Sequence, residues 1–199
     1  MSDTWFISDT HWGHANIIKY SNRPFKDVSE MNEKMLQEWN KLVKPGDKVY
    51  HNGDVAFMPY DKLKNYLWRL NGDIELVLGN HDKAVIQHRE DLLKQGKIKS
   101  IAHYNELKLP GTPMIVLFHY GQRVWNKSHH GSIHLYGHSH GSLPPHGLSV
   151  DVGVDSKEIT TEYRPIHLDE VLSYMSKREK AVVDHHGMTE EQGTDESPL

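Results

Sequence analysis

Asp9-Thr10-His11, Gly53-Asp54, Gly79-Asn80-His81-Asp82, His119 and Gly137-His138-Ser139-His140 are five short groups rich in carboxylate, imidazole and amide side chains. Together they offer the nitrogen and oxygen donors that divalent transition ions accept. Each group is weak evidence alone. Asp-x-His recurs by chance, Gly-Asp is a common turn, and a histidine after a strand is often simply packed there. In His138-x-His140 two imidazoles project from irregular backbone, and glycines on both sides let that backbone bend sharply. The position of all five carries the argument. Each follows a short apolar, β-prone run: TWFIS (4–8), KVYH (48–51), IELVL (74–78), MIVLF (114–118) and SIHLY (132–136). In α/β sheets ligands bind beyond the carboxyl ends of the strands. Pairing of these runs in one sheet would therefore bring the five groups to one spot.

Other elements must hold those strands. Residues 27–43 read as a helix, with Val28, Met31, Met35, Trp39, Leu42 and Val43 near one face. Asp27 and Glu30 have capping-box spacing at its start, and Pro45-Gly46 stops it. Further helices are expected over 60–70, over 83–95 up to Gly96, and over 167–180. Met58, Pro59 and the helix after them could wall the site, although Leu63, Leu67 and Leu70 fit a helix that simply covers a sheet. Residues 98–109 read as one or two strands, and 148–154 as another after a Pro-Pro turn. Strands alternating with helices early, then mostly strands, predict a mixed α/β layered domain over 1–180. From 181 the chain turns polar and reads as a disordered tail in which His185 and His186 are incidental.

Composition removes several alternatives. The 199 residues contain no cysteine, which excludes disulfides, thiolate metal sites and a cysteine nucleophile. A net charge of −4 supplies no basic excess for gripping a long nucleic acid. The first residues lack a signal-peptide pattern and no apolar run has membrane-spanning length, so a soluble cytoplasmic protein is expected. The 16 histidines include no run of six, so they are not a purification tag.

The ordered series Asp9-x-His11, Gly53-Asp54, Gly79-Asn80-His81-Asp82, His119 and Gly137-His138-x-His140 resembles the calcineurin-like metallophosphoesterase superfamily. The wording of WFISDTHWGHANIIKYSNRPF and HGSIHLYGHSHG is similar to its small, compact bacterial and phage members. The resemblance implies a four-layer α/β/β/α sandwich of two mixed β-sheets flanked by helices, with two divalent ions at the strand ends. Asp9, His11, Asp54 and His140 would hold the first ion. Asp54, Asn80, His119 and His138 would hold the second, with Asp54 bridging. The donor set suits Mn²⁺, Fe²⁺, Zn²⁺ or Ni²⁺ without choosing among them, and Mn²⁺ is the ion expected.

The implied activity is hydrolysis of a phosphomonoester or phosphodiester by a metal-bridging hydroxide. Two divalent ions against Asp9, Asp54 and that hydroxide leave about one net positive charge, suited to a phosphate anion. His81, beside the ligand Asn80, is the candidate general acid, since an imidazole exchanges protons near neutral pH. Some members orient this histidine with a second aspartate after Gly-Asp. The stretch GDVAFMPY offers none, and Asp82 is the substitute. Asn80, His14, Arg23 and Arg123 are candidate substrate contacts. Trp125, in the cationic loop 119–131, either stacks on a nucleobase or packs that loop onto the body. The expected substrate is a small phosphoester such as a nucleotide or a nucleic-acid end. The alternatives are a general phosphomonoesterase or phosphoprotein phosphatase, and a non-catalytic, metal-stabilised binding module. No partner protein and no membrane are expected.

Overall fold

The structure is a computed structural model that describes residues 2–160 and 162–181. The expected tail, with His185 and His186, lies outside the described residues apart from Ala181. Two mixed sheets form the α/β body. The first has the order β4-β3-β2-β1-β9, built from β1 (Thr4–Ile7), β2 (Lys48–His51), β3 (Asp73–Val77), β4 (Ile98–Ala102) and β9 (Ile166–His167). Its first four strands are parallel, and β9 pairs antiparallel with β1. The second has the order β5-β6-β7-β8, from β5 (Tyr104–Leu107), β6 (Ile115–Phe118), β7 (Ile133–Tyr136) and β8 (Ser149–Asp151). Here β6, β7 and β8 are parallel and β5 is antiparallel to β6.

The strand runs are mostly apolar because both faces of the first sheet are covered. Alternation sends Trp5, Ile7, Val49, Ile74 and Leu76 into a core shared with α1 (Ile17–Tyr20), α2 (Val28–Leu42), α3 (Tyr60–Arg69), α4 (Lys83–Gln87) and α5 (Arg89–Gln95). Phe6, Tyr50 and Val77 face the other way. They join Leu117, Leu135 and Val150 of the second sheet and Val171 and Met175 of α6 (Leu168–Met175) in a second core.

Most elements fall where the sequence puts them, but α1 and β9 had no sequence signal, the five donor-bearing strands divide between two sheets rather than pairing in one, and three segments differ. The run 83–95 is two helices, parted at His88 (φ −115°, ψ 26°), whose ring stacks on Tyr60 at 3.9 Å. The last helix stops at Met175 rather than 180. Residues 98–109 make two strands that belong to different sheets, and the chain crosses between them at His103. At the start of α2 the Asp27 side chain accepts from the Glu30 N–H at 2.9 Å, as its spacing predicts. The Glu30 carboxylate reaches the N–H of Lys26, at 2.7 Å, one residue short of a closed capping box.

Candidate metal centre

The two sheets are laced together just beyond β1. The Ser8 N–H donates to Val152 O (3.1 Å) and Ser8 O accepts from the Val154 N–H (3.1 Å). This seam sets the carboxyl ends of β1, β2 and β3 against those of β6, β7 and β8. The loops following them meet there.

Two groups gather at the seam: Asp9, His11 and His140, and Asp54, His119 and His138. Within each, one donor atom per residue lies within 4.8 Å of the others. Asp54 Oδ2 sits between the groups, 3.6 Å from His11 Nε2 and 3.5 Å from His119 Nε2. Asn80 Oδ1 completes the second group, 3.2 Å from His119 Nε2 and 3.0 Å from His138 Nδ1. The seven residues expected as ligands are therefore brought together.

The donor chemistry fits divalent ions. Asp9 Oδ1 and both ring nitrogens of His11 are buried without a hydrogen-bond partner. Buried polar atoms are ordinarily bonded, so unpartnered lone pairs facing one another suit a cation. Neighbours fix the other rings. His119 Nδ1 faces Asn52 O at 2.7 Å, which makes Nδ1–H the donor and leaves Nε2 free to ligate. His140 Nδ1 sits 2.7 Å from Asp155 Oδ2, which frees its Nε2 in the same way.

The loops hold these atoms with strained backbone. Asp9, His11, Asp54, His138 and His140 all have φ between +47° and +66°. Side-chain-bearing residues avoid this left-handed region, and such strain concentrates at functional sites. Close approach demands the flanking glycines. A Cβ at Gly137 would lie 2.0 Å from Ser8 Oγ and 2.4 Å from Asp9 Oδ2, and one at Gly79 would lie 2.3 Å from Asp54 Oδ1.

Two expected roles are corrected by position, and the open choice for Trp125 is decided. Asp82 is buried and does not orient His81. Its carboxylate accepts from the N–H groups of Asp54 (2.9 Å), Val55 (2.8 Å) and Gly79 (2.7 Å), tying two ligand loops together. Arg23 cannot reach a phosphate in the site. Its buried guanidinium grips Asp155 through two bonds of 2.8 Å and 2.7 Å and donates to the carbonyls of Thr10 and Asp9. Trp125 packs the 119–131 loop, its Nε1–H on Ser132 O at 3.1 Å and its ring against His134. Arg123 is exposed beside His146, at 3.3 Å. Asn80 is exposed among the ligands, and His14 borders the site, its ring 5.5 Å from that of His11.

The His81 ring, exposed, lies 5.5 Å from the His11 ring, and its backbone N–H donates to Asp54 Oδ1 at 2.8 Å. It stands beside both donor groups and belongs to neither.

Two supporting carboxylates escaped the sequence reading. Asp155 holds His140. Asp151 accepts from Ser139 Oγ (2.6 Å) and the N–H groups of Gly141 (2.9 Å) and Gly153 (2.7 Å), bracing the His138–His140 loop. Asp151 closes its own strand, β8, and Asp155 follows it, much as the other five groups follow theirs, and that signal was available.

Comparison with known proteins places the chain among relatives. No family model matches it. The uncharacterized protein MJ1445 of Methanocaldococcus jannaschii is 32% identical over 186 residues, covering 89% of this chain and 93% of that protein. This chain belongs to the MJ1445 family. Other relatives are the Gene 66 proteins of Mycobacterium phages L5 and D29. They are 25% and 27% identical, each match covering 78% of this chain and 88% and 89% of the phage proteins. A crystal structure of AQ665 from Aquifex aeolicus, a protein of unknown function, superposes with a TM-score of 0.64 at 26% identity, over 87% of this chain and 99% of that one. Within this MJ1445-family chain, among the described residues, no helix is long and apolar enough to cross a membrane.

The electrostatics would link protons to any metal that bound these groups. Burial and the nearby Asp151 charge push the Asp9 carboxyl up to about 7. Burial lowers His119, but the Asp54 carboxylate and Asp9 outweigh it and raise the ring to about 9. Burial holds His11 down to about 3, already neutral for ligation. A metal bound by these groups would have to displace protons from Asp9 below about 7 and from His119 below about 9, so its affinity would rise with pH through that window. Mn²⁺ titrated calorimetrically should bind at least about tenfold tighter at pH 8 than at pH 6, with proton release visible across buffers of different ionisation heat. Equal affinity at both pH values would contradict this account.

Proposed function

We propose that the protein is a dinuclear metal-dependent phosphoesterase of the calcineurin-like metallophosphoesterase superfamily, hydrolysing a small phosphomonoester or phosphodiester. One observation carries the reading: two donor groups, Asp9-His11-His140 and Asp54-His119-His138, with the Asp54 carboxylate between them. The four-layer sandwich belongs to the same proposal. Helices α1–α5 share one core with the first sheet, and a second core joins the first sheet, the second sheet and α6. A pair of divalent ions, Mn²⁺ in our reading, would supply positive charge for the phosphate and lower the pKa of an attacking water.

The chain's own residues do the rest. Asp9, His11 and His140 would hold one ion, and Asn80, His119 and His138 the other, with Asp54 shared. Asp155 and the Asn52 carbonyl keep His140 and His119 turned inward. In hydrolysis the attacking water gives up one proton to solvent as its oxygen bonds to phosphorus, the bond from phosphorus to the leaving alcohol breaks, and the alcohol oxygen takes a proton from His81. Solvent then returns a proton to the ring.

Protein carrying Mn²⁺ should hydrolyse p-nitrophenyl phosphate or bis(p-nitrophenyl) phosphate. EDTA should abolish turnover, and added Mn²⁺ should restore it. A folded protein with two equivalents of metal that is inert towards a panel of monoesters and diesters would instead be a metal-stabilised binding module. His81→Ala should keep both metals and lower kcat by roughly 10²–10⁴-fold for an alkyl leaving group, with a much smaller loss for p-nitrophenolate, which needs no proton. Unchanged kcat on the alkyl ester would remove His81 as the acid.

A further inference from the structure

His81 belongs to two places at once. It borders the ligand groups, and it also lines a cavity of about 310 Å³ with Ala56, Phe57, Met58, Pro59, Lys83 and Ala84. Phe57 is 56% exposed, which is unusual for a phenyl ring whose backbone is pinned. The Phe57 N–H donates to Trp12 O at 2.8 Å, and the Trp12 N–H donates to Val55 O at 2.9 Å. The ring is stacked on His14 at 4.7 Å and meets His81 edge-on at 6.1 Å. With His11 these rings close a circuit: His11–His14 at 5.5 Å, His14–Phe57, Phe57–His81, and His81–His11 at 5.5 Å. An open aromatic rim thus runs from a metal-ligand ring to the acid and on into an apolar hollow. The only charged lining residue besides the imidazole is a cation, Lys83.

An alcohol leaving beside the donor groups at His81 also borders this hollow, because His81 lines both. We infer that the hollow is the leaving-group subsite, and that it selects esters of flat, ring-bearing alcohols over small aliphatic ones, with Phe57 as the specificity-determining residue. This rests on the phosphoesterase reading above. An aromatic ring gains contact with Phe57, Met58 and Pro59, and Lys83 tolerates an acceptor or a negative charge on its rim. A two-carbon alkyl group reaches His81 but leaves the hollow unfilled. An acidic group would find Lys83, whereas a cationic leaving group would meet it unfavourably.

Benzyl and ethyl esters of phosphate, as monoesters and as methyl diesters, test this on Mn²⁺-loaded protein, because the two alcohols are similar in basicity. Whichever ester class turns over, the benzyl compound should have a kcat/KM at least about tenfold higher. Phe57→Ala should bring that ratio to within about twofold of unity with two metals still bound, Phe57→Trp should retain it, and Trp68→Ala, on the outer surface of α3, should not move it. Equal kcat/KM for benzyl and ethyl esters, or a ratio indifferent to Phe57→Ala, overturns the subsite and leaves the phosphoesterase intact. No turnover of these esters or of the nitrophenyl esters by metal-loaded protein removes both.

Discussion

Asp54→Asn should empty both metal positions and lower kcat by at least about 10³-fold, a larger loss than Asp9→Asn. One carboxylate oxygen of Asp54 faces His11 at 3.6 Å and His119 at 3.5 Å, and the other accepts from the His81 N–H at 2.8 Å. The single substitution therefore removes negative charge from both donor groups and disturbs the segment that carries His81. Asp9 serves one group only: its Oδ1 points at that group while its Oδ2 accepts from the His138 N–H at 2.9 Å. Elemental analysis of the two variants, run beside their kcat, decides the matter. Equal metal content and equal activity would contradict the shared position.

Asp82→Ala should cost about 3–5 kcal/mol and lower Tm by roughly 10 °C, although Asp82 is no ligand. The substitution strands three backbone N–H groups, those of Asp54, Val55 and Gly79, in a place where their present acceptor is 1% exposed. These donors lie in two different ligand loops, so metal content should fall together with stability. Asp82→Asn keeps one oxygen acceptor and should lie between the variant and the wild type. Thermal unfolding and metal analysis read both effects. An Asp82→Ala protein with unchanged Tm and full metal content would show that the loops hold themselves.

Strand positions and donor types were legible in the sequence for a physical reason. Buried parallel strands must be continuously apolar, so polar groups that interrupt such runs stand out at their ends. Asp9, His11, Asp54, Asn80, His119, His138 and His140 all carried that signal. What each side chain points at depends on loop dihedrals. Five of those seven residues adopt φ angles that nothing in their residue types announces. The same gap explains the misplaced roles. Arg23 is a cation close in sequence to the first group, and only the fold shows it buried beneath the site on Asp155. Asp82 sits next to His81 in the chain, yet consecutive side chains in a turn diverge, and its carboxylate points at backbone. The break at His88 was hidden because each half of 83–95 is a good helix alone. Strand β9 has two residues, too few for any periodic signal.

The crossing at His103 divides the donors unevenly between two stretches of chain. Asp9, His11, Asp54 and Asn80 come before it, and His119, His138 and His140 after it. Neither half can assemble a complete set for either ion, because each set needs imidazoles from beyond the crossing. A cation captured there would act as a rivet between the halves, available only once residues far apart in sequence, such as Asp9 and His140, have met. Loading would thus report on completed folding, and a partly folded chain would present nothing to compete for scarce metal.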